Sequence, residues 1–131
     1  MTLVEVKTTE LIGPALDWAV AKADGHEPIV TPFKNSIGNA LYLAEWAQRE
    51  GIRWQPSTDW NQGGPLIEKY QIWLTGPYRQ RTEWKAGSGL ATDWDYRKSE
   101  FEGPTPLIAA MRCLVASKMG DTVQVPEELL P

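Results

Sequence analysis

The chain has 131 residues, 17 of them acidic and 13 basic, which gives a net charge of −4 and an acidic isoelectric point. That length suits one domain with one buried core, and the acidic balance excludes a general affinity for nucleic-acid backbone, which needs clustered Lys and Arg. Seven tryptophans in so short a chain are more large amphipathic rings than a core requires, so part of them suits a stacking pocket or an interface.

From the N-terminus, Leu3, Glu5 and Lys7 alternate against Val4 and Val6 and predict a short strand. Thr8, Thr9 and Glu10 then offer caps for a first helix. Pro14 falls in its first turn, Leu16, Ala19, Val20 and Ala23 share a face with Trp18 beside it, and Gly25 is the stop. Residues 26–36 hold Pro28 and Pro32 and no clear period, so an irregular connection is expected. A second helix follows, capped by Asn35 or Ser36, with Ile37, Ala40, Leu41, Ala44 and Ala47 at helical spacing and Gly51 at its end.

Residues 52–67 read as a polar loop. Ser57, Thr58, Asp59 and Asn61 bond backbone groups in Asx and ST turns, and Gly63-Gly64-Pro65 predicts a tight bend. Residues 67–74 have the aromatic and β-branched content of a strand ended by Gly76-Pro77, and residues 83–86 and 93–97 predict two more, which together make a small antiparallel meander.

Residues 103–120 carry the strongest pattern. Thr105 is an N-cap, Pro106 stands at the first helical position, and Gly120 closes the C-terminus. Between them Leu107, Ile108, Met111, Leu114, Val115 and Met119 form a broad apolar stripe that Arg112, Ser117 and Lys118 interrupt. Residues 122–125 predict a short edge strand, and residues 126–131 read as a tail. The expected class is therefore α+β: a single small domain over residues 1–131 with a central apolar helix, one or two further helices and a small antiparallel sheet.

Residues 2–7 contain neither the apolar core of a signal peptide nor a span of about 20 apolar residues, so a soluble, unexported protein is expected. Cys113 is the only cysteine and lies on the central helix, which fits a buried filler in a reducing compartment.

Two stretches carry a family resemblance: Ser57-Thr58-Asp59-Trp60-Asn61-Gln62-Gly63-Gly64-Pro65-Leu66-Ile67-Glu68, and residues 103–120 with the trailing Val125-Pro126-Glu127-Glu128-Leu129. Both resemble the NinX family of small bacteriophage proteins, and residues 15–23 match it as well. Together they cover close to half the chain in the family's order. Residues 26–54 look longer than the usual family connection, and residues 78–102 diverge. The family has no settled biochemical activity. The resemblance implies a phage accessory protein that acts in the cytoplasm of an infected bacterium.

The residue inventory is poor in catalytic groups. His26 is the only histidine, Cys113 faces the core, and no Ser-His-Asp or Cys-His arrangement emerges, so no catalytic residue, metal or cofactor is assigned. Asp93, Asp95, Glu100 and Glu102 cluster in sequence without the spacing of a cation loop. Gly63-Gly64 lacks the Lys-Ser/Thr ending of a phosphate loop.

Binding is better supplied. Residues 78–98 interleave Tyr78, Trp84, Trp94 and Tyr96 with Arg79, Arg81, Lys85, Arg97 and Lys98, a composition in which rings stack bases while cations meet phosphates. The start of the central helix adds backbone N–H groups for an anion. Arg112, inside an apolar stripe, either snorkels to the surface or is held by a buried acceptor, for which Asp59 is the candidate partner.

The leading expectation is non-catalytic binding of a small phosphate-bearing nucleotide by Ser57, Thr58, Asp59, Trp60, Gln62, Gly63, Thr105, Arg112, Trp84 and Arg97. In a phage protein this would sequester a host antiviral nucleotide signal, as a counter-defence sponge. The alternatives are a module that inhibits a host or phage protein, and a nucleotide-acting enzyme. No membrane partner is expected, and a homo-oligomer is left open.

Overall fold

A computed structural model describes residues 2–32, 39–43, 52–77, 79–88 and 100–131. Among them three helices pack with small antiparallel sheets, and no helix is long and apolar enough to cross a membrane.

The centre is the helix Pro106–Met119, which is α3 in chain order. Thr105 Oγ1 accepts the Ile108 N–H at 3.1 Å, Pro106 fills the first turn, and Gly120 turns out of the helix at φ +92°. The predicted stripe is wider than one face but shorter, since Leu107, Ile108, Ala109, Ala110, Met111, Cys113, Leu114 and Val115 are all buried while Met119, its last predicted member, is exposed. Each large buried side chain among them contributes roughly 1.5–3 kcal/mol of burial. The helix Gly13–Ala23, α1, packs against it with residues 15 to 21 all buried. Its expected caps do other work. Ile12 is the N-cap with no side-chain hydrogen bond, while Thr8–Glu10 form a 3-10 turn and buried Thr8 donates to Gly120 O at 2.7 Å.

The first strand, β1 (Leu3–Lys7), pairs antiparallel with β7 (Thr122–Pro126), so that Val4 meets Val125 and Val6 meets Val123 on the core face. Glu127–Leu129, expected in a tail, forms a 3-10 turn with Leu129 buried.

Three expectations are corrected. The connection 26–36 contains a strand, β2 (Pro28–Pro32), and the second helix is replaced over Asn39–Leu43 by its partner β3. Leu41 and Leu43 are buried two apart while Tyr42 is half-buried, a strand period that the alanine spacing masked. Ile37, Ala44, Ala47 and Gly51 lie outside the described residues. The polar loop and the start of the predicted strand are instead the helix Trp60–Lys69, α2. Asp59 caps it by accepting the Asn61 N–H at 2.9 Å.

Gly63 is there for packing rather than for a bend: a Cβ would stand 2.5 Å from Pro56 O and 2.6 Å from the Leu107 side chain. The strand begins later, at β4 (Ile72–Thr75), after Gln71 at φ +52°.

β4 starts the expected meander, with β5 (Trp84–Ser88) in the middle and β6 (Glu100–Gly103) at the other side. The strand predicted at 93–97 lies outside the described residues. Leu74, Ala86 and Phe101 align across the sheet toward α3. The register aligns Thr75, Lys85 and Glu102 on the opposite face. Gly103 lets β6 run against the α3 backbone, since a Cβ there would be 2.6 Å from Ala109 N.

Candidate functional site

The 57–63 segment is knitted to itself. Gln62 bridges the chain before it, accepting the Gln55 N–H and donating to Arg53 O, each at 2.6 Å. Thr58 bonds Gln55 O at 3.4 Å, Asp59 caps α2, and Gly63 is packed between Pro56 and Leu107. Buried Ser57 donates its backbone N–H to Asp17 Oδ1 at 2.8 Å, and Trp54 Nε1 donates to Asp17 O at 2.8 Å. Burial pushes the Asp17 carboxyl up to about 7 against the pull of the Ser57 amide and hydroxyl. That hydroxyl lies within electrostatic reach of the carboxylate without a well-formed hydrogen bond. Trp60 is the exception to this inward satisfaction, at 55% exposed.

A second polar cluster went unread in the sequence. Asp24, at the end of α1, has a side chain only 5% exposed, and it accepts from His26 Nε2 at 2.8 Å, Lys69 Nζ at 2.7 Å and the Tyr70 hydroxyl. Burial acts to raise its pKa, and the three donors together outweigh it and hold the carboxylate below its ordinary value. His26 also meets the Trp54 ring edge-on at 5.7 Å. These residues tie α1 to α2.

Arg112 does not meet Asp59. Its Nε donates to Leu11 O and its Nη1 to Glu102 O, both at 2.8 Å. The helix explains why: Leu107 faces the 57–63 segment, and a residue five positions later points about 140° around the axis. There it faces the 3-10 turn before α1 and the edge strand β6. Among the described residues no carboxylate pairs with it. Burial pulls the guanidinium below its ordinary pKa, and the charge of Glu83 opposes that pull.

An open cleft of about 770 Å³ lies in front of this guanidinium. Its cations are Arg112, Arg81 and Lys85, its carboxylates Glu83, Glu100 and Glu102, and Thr9 and Phe101 complete the wall. Lys85 is held by Glu100 at 3.2 Å and Glu102 at 3.8 Å. The cleft can therefore offer an anion one preset, partly desolvated guanidinium and one exposed arginine, with carboxylates beside them for hydroxyl or amino donors.

Of the described residues predicted to bind, only Arg112 lines this cleft. Ser57, Thr58, Asp59, Trp60, Gln62 and Gly63 belong to the α2 junction, and Thr105 caps α3. Trp84 is half-buried with its ring over Gly76, and Arg97 lies outside the described residues. Thr9, Glu83, Glu100, Phe101 and Glu102 were missed as site residues, although the period-two spacings 83/85 and 100/102 could have put the three glutamates on shared strand faces. Cys113 is buried, and burial pushes its thiol up to about 12. Among the described residues no group of three or more His, Cys, Asp or Glu is arranged to hold a metal ion.

No curated protein matches the chain. The family described as Bacteriophage P22, NinX matches residues 7–118, an interval that contains α1, α2, all three strands of the meander and all but the last residue of α3. With most of its length inside that match, including every residue of the cleft, the chain belongs to the NinX family of bacteriophage proteins.

Proposed function

We propose that this phage accessory protein binds a phosphate-bearing nucleotide in the cleft beside Arg112 and holds it without transforming it. One observation carries the reading: a partly buried guanidinium is fixed by two backbone carbonyls, is unpaired with any carboxylate among the described residues, and faces an open cleft. Carbonyl acceptors orient a guanidinium without neutralising it, so its charge stays available to a phosphate. Glu83, Glu100 and Glu102 supply acceptors for ribose hydroxyls or base amino groups. In an infected bacterium such capture would remove a nucleotide signal that the host uses in defence.

The test is to incubate the purified protein with a nucleotide panel that includes cyclic dinucleotides and ADP-ribose isomers, measure binding by calorimetry, then denature the protein and analyse the released ligand. Sequestration predicts binding that weakens in Arg112→Gln and intact ligand on release. A changed product assigns the cleft to an enzyme, and no binding by any panel member overturns the reading.

One observation favours a second reading. Trp60 stands 55% exposed at the start of α2, and an exposed tryptophan suits the centre of a protein–protein contact. Loss of a captured host or phage partner in Trp60→Ala, with nucleotide binding absent, would favour it.

A further inference from the structure

The charged cleft does not end at Arg81 and Lys85. A second open hollow of about 510 Å³ shares Arg81, Glu83 and Lys85 with it and continues to Thr75, Gly76 and Pro77. The register explains the shared wall: Thr75 lies opposite Lys85 in the β4–β5 pairing, so the end of β4 and the start of β5 frame one hollow while Lys85 reaches the other. The two hollows differ in chemistry. The first is dominated by charged groups and holds Arg112, whereas the far end of the second carries no charged residue among the described residues.

Gly76 shapes that uncharged end. A Cβ at this position would lie 3.5 Å from the Trp84 ring, which is ordinary contact, and its φ is not in the left-handed region. Backbone strain therefore does not demand glycine here. The side on which its Cβ would stand is taken by the Trp84 ring, so what faces the second hollow is the Gly76 main chain, the Pro77 ring and Thr75, an uncharged surface that suits a planar ring system. Between floor and guanidinium stands Glu83, an acceptor common to both hollows, where a sugar hydroxyl would fall.

Resting on the nucleotide reading above, we infer that the ligand lies across both hollows, its phosphate at Arg112, its sugar against the Glu83–Lys85 wall and its base on the Gly76–Pro77 floor. The site is thereby selective for a nucleotide with a base over an anion of the same charge without one. The carboxylates of the first hollow disfavour a bare polyanion, because each uncompensated negative charge beside it costs binding.

The experiment compares ATP, GTP, cyclic di-GMP, ADP-ribose, ribose 5-phosphate and inorganic pyrophosphate by calorimetry on the wild type, Pro77→Gly, Thr75→Phe and Arg81→Gln, with thermal melts to confirm folding. Either floor variant should weaken the best-bound nucleotide at least about tenfold, which is roughly 1.4 kcal/mol. Neither should change the affinity for pyrophosphate or ribose 5-phosphate by more than about twofold. Arg81→Gln should weaken every anion that binds. If both floor variants fold and bind the nucleotide as the wild type does, while Arg81→Gln weakens it, the base assignment is overturned and the nucleotide reading stands. If the wild type binds nothing in the panel, both are overturned.

Discussion

Asp17 and Ser57 stand 40 positions apart, yet the Asp17 carboxylate accepts the Ser57 backbone N–H at 2.8 Å inside the core. Together with the Trp54 Nε1 hydrogen bond to Asp17 O, this contact seats the chain before α2 on α1. Burial raises the Asp17 pKa from 3.8 to about 7, so the folded state keeps a proton that the unfolded chain releases. Its stabilisation is complete below about pH 4, is lost as pH rises toward 7 and changes no further above that, for a span of up to about 4 kcal/mol. Asp17→Asn keeps the acceptor and removes the titration. Urea denaturation between pH 5 and 8 should show a flatter profile in the variant, with the variant the more stable protein at pH 8.

Asp24, seven residues on, should slope the other way. Its carboxylate is held below its ordinary pKa despite burial, because His26, Lys69 and Tyr70 donate to it. Stability from this cluster is present above the unfolded carboxylate pKa and is lost as pH falls through about 4 and below. Asp24→Asn should therefore reduce stability at pH 6 and abolish this acid-side loss, read from melting temperatures in a series from pH 3 to 6.

Two glycines of the meander separate soft from hard contacts. A Cβ at Gly103 would meet the Ala109 backbone N at 2.6 Å, and that atom belongs to the central helix and cannot yield. At Gly87 the obstacle is the half-buried Trp73 ring at 2.1 Å, opposite it in the register, which can swing outward. Gly103→Ala should cost about 1–3 kcal/mol or more. Gly87→Ala should cost less and be marked by a red-shifted tryptophan emission as the ring enters water.

The cap of α3 gives a smaller, cleaner change. Thr105→Ala removes the acceptor for the Ile108 N–H and should destabilise by about 1 kcal/mol, with Thr105→Asn recovering most of it in chemical denaturation.

The central helix was legible because every signal it uses is local: cap, proline, stripe and glycine lie in consecutive residues. Gly63 in α2 was misread because its purpose is non-local. Gly63 is small so that Pro56 and Leu107 can approach, which nothing within the segment announces. The β2–β3 ribbon was hidden for a similar reason, since Leu41 and Leu43 alternate only against α1. At the cleft, Arg112 stood out as a cation in an apolar stripe, but its acceptors are the carbonyls of Leu11 and Glu102. A main-chain carbonyl is the same in every residue, so the sequence carries no mark of which one an arginine will find, and a carboxylate was the only partner it could nominate.

The β1–β7 ribbon bears on how the chain is made. Thr8 reaches Gly120 across 112 positions, and Val4 and Val6 find their partners only in residues 123 and 125. On a ribosome the first strand emerges long before the last and waits, half-apolar and unpaired, through the synthesis of nearly everything else. Pairing of β1 with β7 therefore follows the synthesis of α1, α2 and α3, and removal of residues 122–126 should leave chains that hold compact α1–α3 contacts yet remain open to proteases at residues 3–7.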